Sequence, residues 1–491
     1  MVSRQLTVFL AGLLLVALAL WQLEQARSGI STRDTDIGDT PATLYWERNA
    51  APSPVVVVSH GFAGSRQLMQ AFSLHLARAG YRVLAFDALG HGRNPMPLSG
   101  DVTAIDGTTA LLVAETRRVI AAARQLDGAS GDVAVLGHSM ASDIVIRAAL
   151  AEPDVRNVIA ISMFSEAVTP QAPERLLIVS GEWEARLRAV ALSALQQVDP
   201  AADEGDTAVS GSVQRRATVS PAVEHVGVLF SAHSLRESLD WLNRGFQRSR
   251  VPSVEPTGGW ILALLIGIVL TFRPLIQRLP QRPSPEPPTT RRLLLAIGLP
   301  MLLAPAIGVL VFRPFLPVLV ADYLLLHFAL YAGIQLAVLR RWPVQRGELS
   351  WAGLALLLIW GLLFIGLALD RYAASFVPTG ERLLVIAALS LATIPFMLAD
   401  SRVSGAGAGR WWQRLAARAA ILVSLAIAAV IKPEELGFVL LVFPVVLLFF
   451  LVHGTLGRAL AQRTGTAASG IGLGLILAWA LGVSFPFFAP A

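Results

Sequence analysis

From Trp260 onward the chain carries eight apolar stretches almost free of charge: about 259–272, 293–312, 316–339, 351–369, 383–399, 419–431, 436–452 and 467–489. Six of them reach the ~17–25 residues that cross a bilayer core. Hydrocarbon offers no water to backbone N–H and C=O groups, so such a run must satisfy its own hydrogen bonds as a helix. The short runs 259–272 and 419–431 are read as weaker members of the set, and the pair flanking Pro433 as two helices or, alternatively, one re-entrant hairpin. A further apolar stretch, Leu6 to Leu23 behind Arg4, is longer than a usual signal-peptide core and reads as an uncleaved signal anchor rather than a peptide cut near Ala17-Leu18-Ala19. Composition agrees: 54% of residues are hydrophobic and 15% charged, against about 25% charged in soluble proteins.

Arginine sets the expected orientation. With the N-terminal stretch as the first helix, the loops after the second, fourth, sixth and eighth hold Arg273, Arg278, Arg282, Arg291 and Arg292; Arg340, Arg341 and Arg346; Arg402, Arg410 and Arg414; and Arg458 and Arg463. The intervening short loops hold only Arg313, Arg371, Arg382 and Lys432. This alternation predicts a cytoplasmic N-terminus, with the region between the first two helices and the C-terminus extracytoplasmic, in a multi-pass protein of the cell membrane. Arg27, Arg248 and Arg250 run against the pattern. The net charge of +6 then reports topology, not nucleic-acid binding, and the absence of cysteine fits an extracytoplasmic domain.

Residues 41–250 read differently. Val133-Ala134-Val135-Leu136 is an apolar strand that ends in Gly137-His138-Ser139-Met140-Ala141 and passes at once into a helix-forming stretch, Ser142 to Ala151. A serine on a sharp strand-to-helix turn, with small residues two positions either side, is a nucleophile elbow. Upstream, the strand Val55–Ser59 ends in His60-Gly61-Phe62-Ala63-Gly64-Ser65, and the strand Tyr81–Phe86 ends in Asp87-Ala88-Leu89-Gly90-His91-Gly92. Helices are expected at 68–79, 109–126 and 235–246, with further strands at 155–162, 175–180 and 225–231. Strand and helix alternating over short connections imply a mostly parallel sheet with helices on both faces.

Through His60-Gly61, Asp87-x-x-Gly90-His91-Gly92 and Gly137-x-Ser139-x-Ala141, in order and spacing, residues 40–250 resemble the α/β-hydrolase superfamily. The resemblance implies a Ser-acid-His triad, each member on a loop after a strand, and acyl transfer through an acyl-enzyme. Ser139 is the expected nucleophile. The acid commonly lies three residues beyond a glycine, which points from Gly181 to Glu184, with Glu182 as the alternative. The last strand, expected at His225 to Ser231, would deliver His233 as general base. Backbone N–H groups of Phe62 and Met140 are the matched oxyanion donors, while His60, Gly61, Gly137, His138 and Ala141 support the elbow and its loops. Asp87 holds a turn, and His225, at the start of the expected last strand, is read as a surface or structural residue.

The expected organisation is a signal-anchor helix at 1–25, an irregular linker at 26–40, an α/β-hydrolase domain at 41–250 and about eight transmembrane helices in 251–491, with 278–290 as a proline-rich extended loop. No cofactor is expected: there is no metal-ligand cluster and no P-loop. About a dozen residues separate Ser162 from Glu174, too few for a cap domain. An uncapped acyl hydrolase tethered to a bilayer suggests membrane lipids as surroundings and a small or lipid-like ester as substrate. Its order of anchor, hydrolase and helical bundle resembles that of the deacylases of glycosylphosphatidylinositol anchors. The sequence leaves the oligomeric state open. The competing class is a transporter or membrane scaffold with a non-catalytic hydrolase-like domain, whose best feature is Asp322-Tyr323 with His327 inside an apolar run.

Overall fold

The structure, a computed structural model, describes residues 2–101, 104–282, 289–318, 320–340 and 349–488. These fall into two compact units. One comprises Ala19–Leu262, Asp370–Ser375 and, among the described residues, 486–488; the other takes in the chain up to Leu18, Ala263–Leu369 and Phe376–Phe485.

The first unit is α/β. After helix α1 (Val2–Arg27) come β1 (Ile30–Ile37), β2 (Thr40–Glu47), β3 (Ser53–Ser59), α2 (Gln70–Arg78), β4 (Arg82–Phe86), α3 (Ala110–Arg124), β5 (Ala129–His138), α4 (Met140–Leu150), β6 (Asn157–Ile161), β7 (Arg175–Gly181), α5 (Ala185–Gln196), β8 (Thr207–Ser210), β9 (Val213–Ser220) and α6 (Ala232–Gly245). The nine strands form one sheet in the order β1-β2-β4-β3-β5-β6-β7-β9-β8. From β4 to β9 the pairing is parallel, and β1, β2 and β8 close the edges antiparallel. Val55 to Val58 and Val158 to Ile161 carry no polar alternation because both sheet faces are covered, and all eight are buried. Phe72 and Leu76 of α2 join Leu239 and Leu242 of α6 over Val56, Val58, Leu136, Ile159 and Leu177. Helices α3 and α4 pack on β5 and on each other outside that cluster.

Two expectations are corrected here. The stretch read as a linker at 26–40 is helix end and edge strand: β1 pairs with all of β2 across the Gly38 turn, where φ is +63°. Its Thr and Asp residues looked like tether because an edge strand leaves much of its side-chain surface to water. The last strand is also elsewhere. The apolar run Gly227–Phe230 is a short 3₁₀ turn that buries Val228 and Leu229, and the strand is β9. β9 contains Arg215 and Arg216, which disguised it; Arg215 is fully buried and donates to the carbonyls of Ala194 and Thr169, both at 2.8 Å.

Among the described residues nine helices are long and apolar enough to cross a membrane: Arg4–Arg27, Thr257–Ile276, Thr290–Val311, Ala321–Leu339, Trp351–Tyr372, Gly380–Val403, Trp411–Ile431, Pro433–Thr464 and Thr466–Ser484. They are compatible with a multi-pass membrane protein. The segments either side of Pro433 are separate helices of 21 and 32 residues. Part of the proline-rich stretch, 283–288, lies outside the described residues. Within the helical unit, buried Arg382 donates to the terminal carbonyls of Gly482 and Phe485 at 3.0 and 2.7 Å, satisfying acceptors that a helix end leaves open. Asp322 likewise serves the backbone, accepting from the N–H groups of Phe315 and Tyr323 at 3.1 and 2.7 Å. His327 bridges Tyr323 Oη and Ser424 Oγ at 3.2 and 3.0 Å, a polar tie between helices.

Candidate active site

Ser139 sits between β5 and α4 with φ +53° and ψ −119°, a conformation an L-residue adopts at a cost of about 1–3 kcal/mol. Three contacts hold it there: its N–H donates to Ile161 O at 2.9 Å, and its carbonyl accepts from Ser142 N–H at 2.9 Å and Ser142 Oγ at 2.6 Å. The elbow requires a glycine at 137, because a Cβ there would lie 2.3 Å from the Ala141 carbonyl oxygen. That is the close approach of strand and helix that small residues at 137 and 141 permit.

Ser139 Oγ lies 2.8 Å from His225 Nε2, and His225 Nδ1 lies 2.5 Å from Glu184 Oε1. His225 is on the loop between β9 and the 227–230 turn, with its side chain 43% exposed, whereas the Glu184 side chain is 5% exposed. The other Glu184 oxygen accepts from Gly181 N–H at 2.6 Å and from Ser162 Oγ at 2.8 Å. Burial alone would raise the Glu184 carboxyl, but hydrogen bonds from His225, the Gly181 amide and Ser162 outweigh it and hold it below the usual carboxylate range. A carboxylate with three donors and little water orients an imidazole rather than taking its proton.

The expected base, His233, is not at this site. It lies in the first turn of α6, where its Nε2 shares a 2.9 Å hydrogen bond with Thr218 Oγ1 and its N–H donates to Ser231 Oγ. The correction follows from the displaced strand: with β9 ending at Ser220, the histidine on the loop after it is His225. Glu182, the alternative acid, accepts from Ala222 N–H at 2.6 Å and braces the loop opposite. Asp87 is wholly buried, ion-paired to Arg66 at 2.7 Å and accepting from the N–H groups of Arg66 and Arg93, so it holds the 87–93 turn.

The remaining expected residues surround the serine. His138 donates from Nε2 to His225 O at 2.9 Å and its ring packs 4.8 Å from the His225 ring, anchoring the loop that carries that histidine. Burial, with the neighbouring His225 ring, pushes the His138 imidazole down to about 3, so it stays neutral. Ala88 N–H donates to His60 Nε2 at 3.1 Å; the His60 proton is therefore on Nδ1, which donates to Gly61 O at 2.8 Å. Burial keeps that ring neutral too. His60 thus ties the Gly61-Phe62 loop to the 87–92 loop. Met140 opens α4, and first-turn N–H groups have no partner within their helix. Ser162 was missed in the sequence; its position at the carboxyl end of β6, one strand from the elbow, was the available signal.

Among the described residues no cluster of His, Cys, Asp or Glu could hold a metal. A serine, an imidazole and a shielded carboxylate are thus joined in series at the carboxyl edge of the parallel sheet. Residues 50–253 match the protein-family model Hydrolase_4, described as serine aminopeptidase, S33. Similar solved structures include a protein of Thermus thermophilus (20% identity over 45% of this chain and 99% of that one, TM-score 0.33). Dienelactone hydrolase of Anabaena variabilis matches at 16% identity over 45% and 98%, TM-score 0.34. Est1E of Butyrivibrio proteoclasticus, solved with ferulic acid, matches at 18% over 44% and 100%, TM-score 0.32. The first unit has the α/β-hydrolase fold, and the family match supports a hydrolase.

Proposed function

We propose that this chain is a membrane-bound serine hydrolase that cleaves a carboxylic ester, with Ser139 as nucleophile, His225 as general base and Glu184 as the acid that orients it. The observation that carries the reading is the series Glu184 Oε1, His225 Nδ1, His225 Nε2, Ser139 Oγ, with contacts of 2.5 and 2.8 Å. His225 Nε2 takes the Ser139 proton as Oγ attacks the ester carbonyl. The Phe62 and Met140 N–H groups meet the oxyanion, each worth about 3–4 kcal/mol in the transition state. The imidazolium then protonates the departing alkoxide, and water, deprotonated by the same nitrogen, releases the acid from the acyl-enzyme.

A lipid or lipid-linked ester is the favoured substrate. The loops around the site also carry exposed apolar side chains: Trp183 beside Glu184, Val226 beside His225, and Phe164 two residues past Ser162. Together with nine helices of membrane-spanning length, they suit a substrate met at a bilayer rather than in water. Burying each further CH₂ of an acyl chain adds ~0.8 kcal/mol. A p-nitrophenyl ester series from acetate to palmitate on the full-length protein in lipid should therefore show kcat/KM rising with chain length; a maximum at acetate would refute the lipid substrate. The serine aminopeptidase description of the matched family favours a second reading, hydrolysis of an N-terminal peptide bond. Aminoacyl p-nitroanilides turned over faster than any ester would establish it. The arginine alternation supports an extracytoplasmic active site; a reporter active only outside the cytoplasm should work when inserted within 201–213 and stay silent within 282–290.

A further inference from the structure

A second site lies far along the sequence from the first. The first two turns of helix Trp411–Ile431 lie beside residues 454–458 of helix Pro433–Thr464, and a cavity of about 290 Å³ opens there. Arg414, Arg418 and Arg458 line it, with Thr455, Trp411 and Leu415. Three guanidinium groups share one small cavity, and no carboxylate lies within ion-pair distance of them among the described residues. Arg273 adds a fourth positive charge within electrostatic reach of Arg458. Asp400 is electrostatically coupled to Arg418, and it is buried without a direct ion pair to it among the described residues.

The cluster is built rather than splayed. Arg414 Nη1 donates to the carbonyls of Gly407 and Gly409, which fixes the guanidinium; among the described residues its other N–H groups meet no acceptor. Arg418 lies over the Phe450 ring at 4.7 Å. Gly407, at φ +78°, lets the loop pass the Arg458 stem, where a Cβ would come within 2.5 Å of Arg458 Cγ. Like charges held together this way repel one another unless an anion is shared between them. Guanidinium groups answer to phosphate through paired N–H donors, and the site sits in the first two turns of a 21-residue helix, the end that favours negative charge.

We propose that this pocket binds the phosphate headgroup of an anionic membrane lipid. The lipid source, rather than a soluble phosphate, follows from the surroundings. Trp411 and Leu415 on its rim are 70% and 60% exposed, and Leu451 on the neighbouring helix is 70% exposed. A tryptophan at the end of an apolar helix belongs at the headgroup level, with acyl chains beside the leucines below it. Basic pockets between membrane helices are the form that anionic-headgroup recognition takes.

The test uses the full-length protein purified in dodecyl maltoside and titrated with dioleoyl phosphatidylglycerol or dioleoyl phosphatidylcholine, bound lipid being read by native mass spectrometry. Phosphatidylglycerol should bind more tightly than phosphatidylcholine. Each of Arg414→Gln, Arg418→Gln and Arg458→Gln should weaken it about fivefold, and the triple variant on the order of a hundredfold. The triple lysine variant, which keeps the charge, should retain most of the preference, and gel filtration reports whether each variant is folded; if the triple glutamine variant is not, the three singles decide. Equal affinity for the two lipids, or an unchanged phosphatidylglycerol affinity in the folded glutamine variants, would overturn the proposal. So would inorganic phosphate or glycerol 3-phosphate displacing phosphatidylglycerol at equal concentration, since the site would then recognise a free anion.

Discussion

Replacing each of two histidines by alanine separates the site drawn here from the one the sequence suggested. His225 Nε2 is 2.8 Å from Ser139 Oγ, and among the described residues no other imidazole hydrogen-bonds that hydroxyl. His225→Ala removes both the acceptor for the serine proton and the acid for the leaving group, so kcat should fall on the order of 10⁴–10⁶-fold, or about 5–8 kcal/mol of transition-state stabilisation at 1.36 kcal/mol per decade. His233→Ala loses one hydrogen bond, to Thr218 at 2.9 Å, worth about 1 kcal/mol. In a unit of this size that lowers Tm by about 2–4 °C and leaves kcat untouched. The assay is fluorophosphonate labelling of the full-length protein in membranes, paired with p-nitrophenyl acetate turnover. Ser139→Ala sets the background, and a melting curve for each variant checks the fold. Labelling that survives in His225→Ala but vanishes in a folded His233→Ala would refute the reasoning and restore the sequence-based base.

Other perturbations report on the supports. Glu184→Gln can still accept from the Gly181 amide, but its NH₂ would then face His225 Nδ1 and hold the ring with its proton on Nε2, unable to receive one from Ser139. An activity loss of about 10⁴-fold with little change in fold is expected from kcat measurement and near-ultraviolet circular dichroism. The same variant tests the linkage. Because the fold holds the Glu184 carboxyl below its ordinary value, its contribution to stability is present above about pH 4.3 and is lost as pH falls through the lower folded value; wild type should therefore lose Tm more steeply than Glu184→Gln on acidification below that point. Gly137→Ala puts a Cβ 2.3 Å from the Ala141 carbonyl oxygen, which must displace the elbow: about 1–3 kcal/mol of stability by chemical denaturation and roughly 10²-fold in kcat. Arg66→Ala strands the fully buried Asp87 carboxylate, so about 3–5 kcal/mol of stability should be lost, with the melting transition as readout.

Legibility in the sequence tracked how local each constraint was. The elbow was readable because its requirement is carried by five consecutive residues, two of which must be small. Glu184 was readable because its distance from Gly181 is set by a single tight turn, in which Glu184 N–H donates to Gly181 O at 3.1 Å. The long apolar helices were readable because a sustained apolar run imposes one rule on every residue in it. His225 was not readable, for a reason visible in β9. Strands are recognised by apolar content, and β9 hides that content behind Arg215, whose aliphatic stem is buried while its guanidinium caps carbonyls of Ala194 and Thr169. The nearby apolar run at 227–230 satisfied the same criterion without being a strand, and an eight-residue error in the base followed. Edge strand β1 failed in the converse way, since polar residues are what an edge requires.

The same contrast bears on how the site holds together. Ser139, Glu184 and Ser162 are each fixed by the carboxyl end of a parallel strand, so their relative positions follow from the sheet register, in which Gly137 pairs Ala160 and Ile161 pairs Val179. His225 has no such strand beneath it. It is positioned by what touches it: Glu184 on one ring nitrogen, Ser139 on the other, and His138 against its backbone carbonyl at 2.9 Å. His138 cannot take that role in its charged form without burying an unpaired cation, and burial keeps it neutral. His138, one position before Ser139, therefore anchors the loop that carries His225. In the proposed mechanism His138 would position the base without itself exchanging a proton.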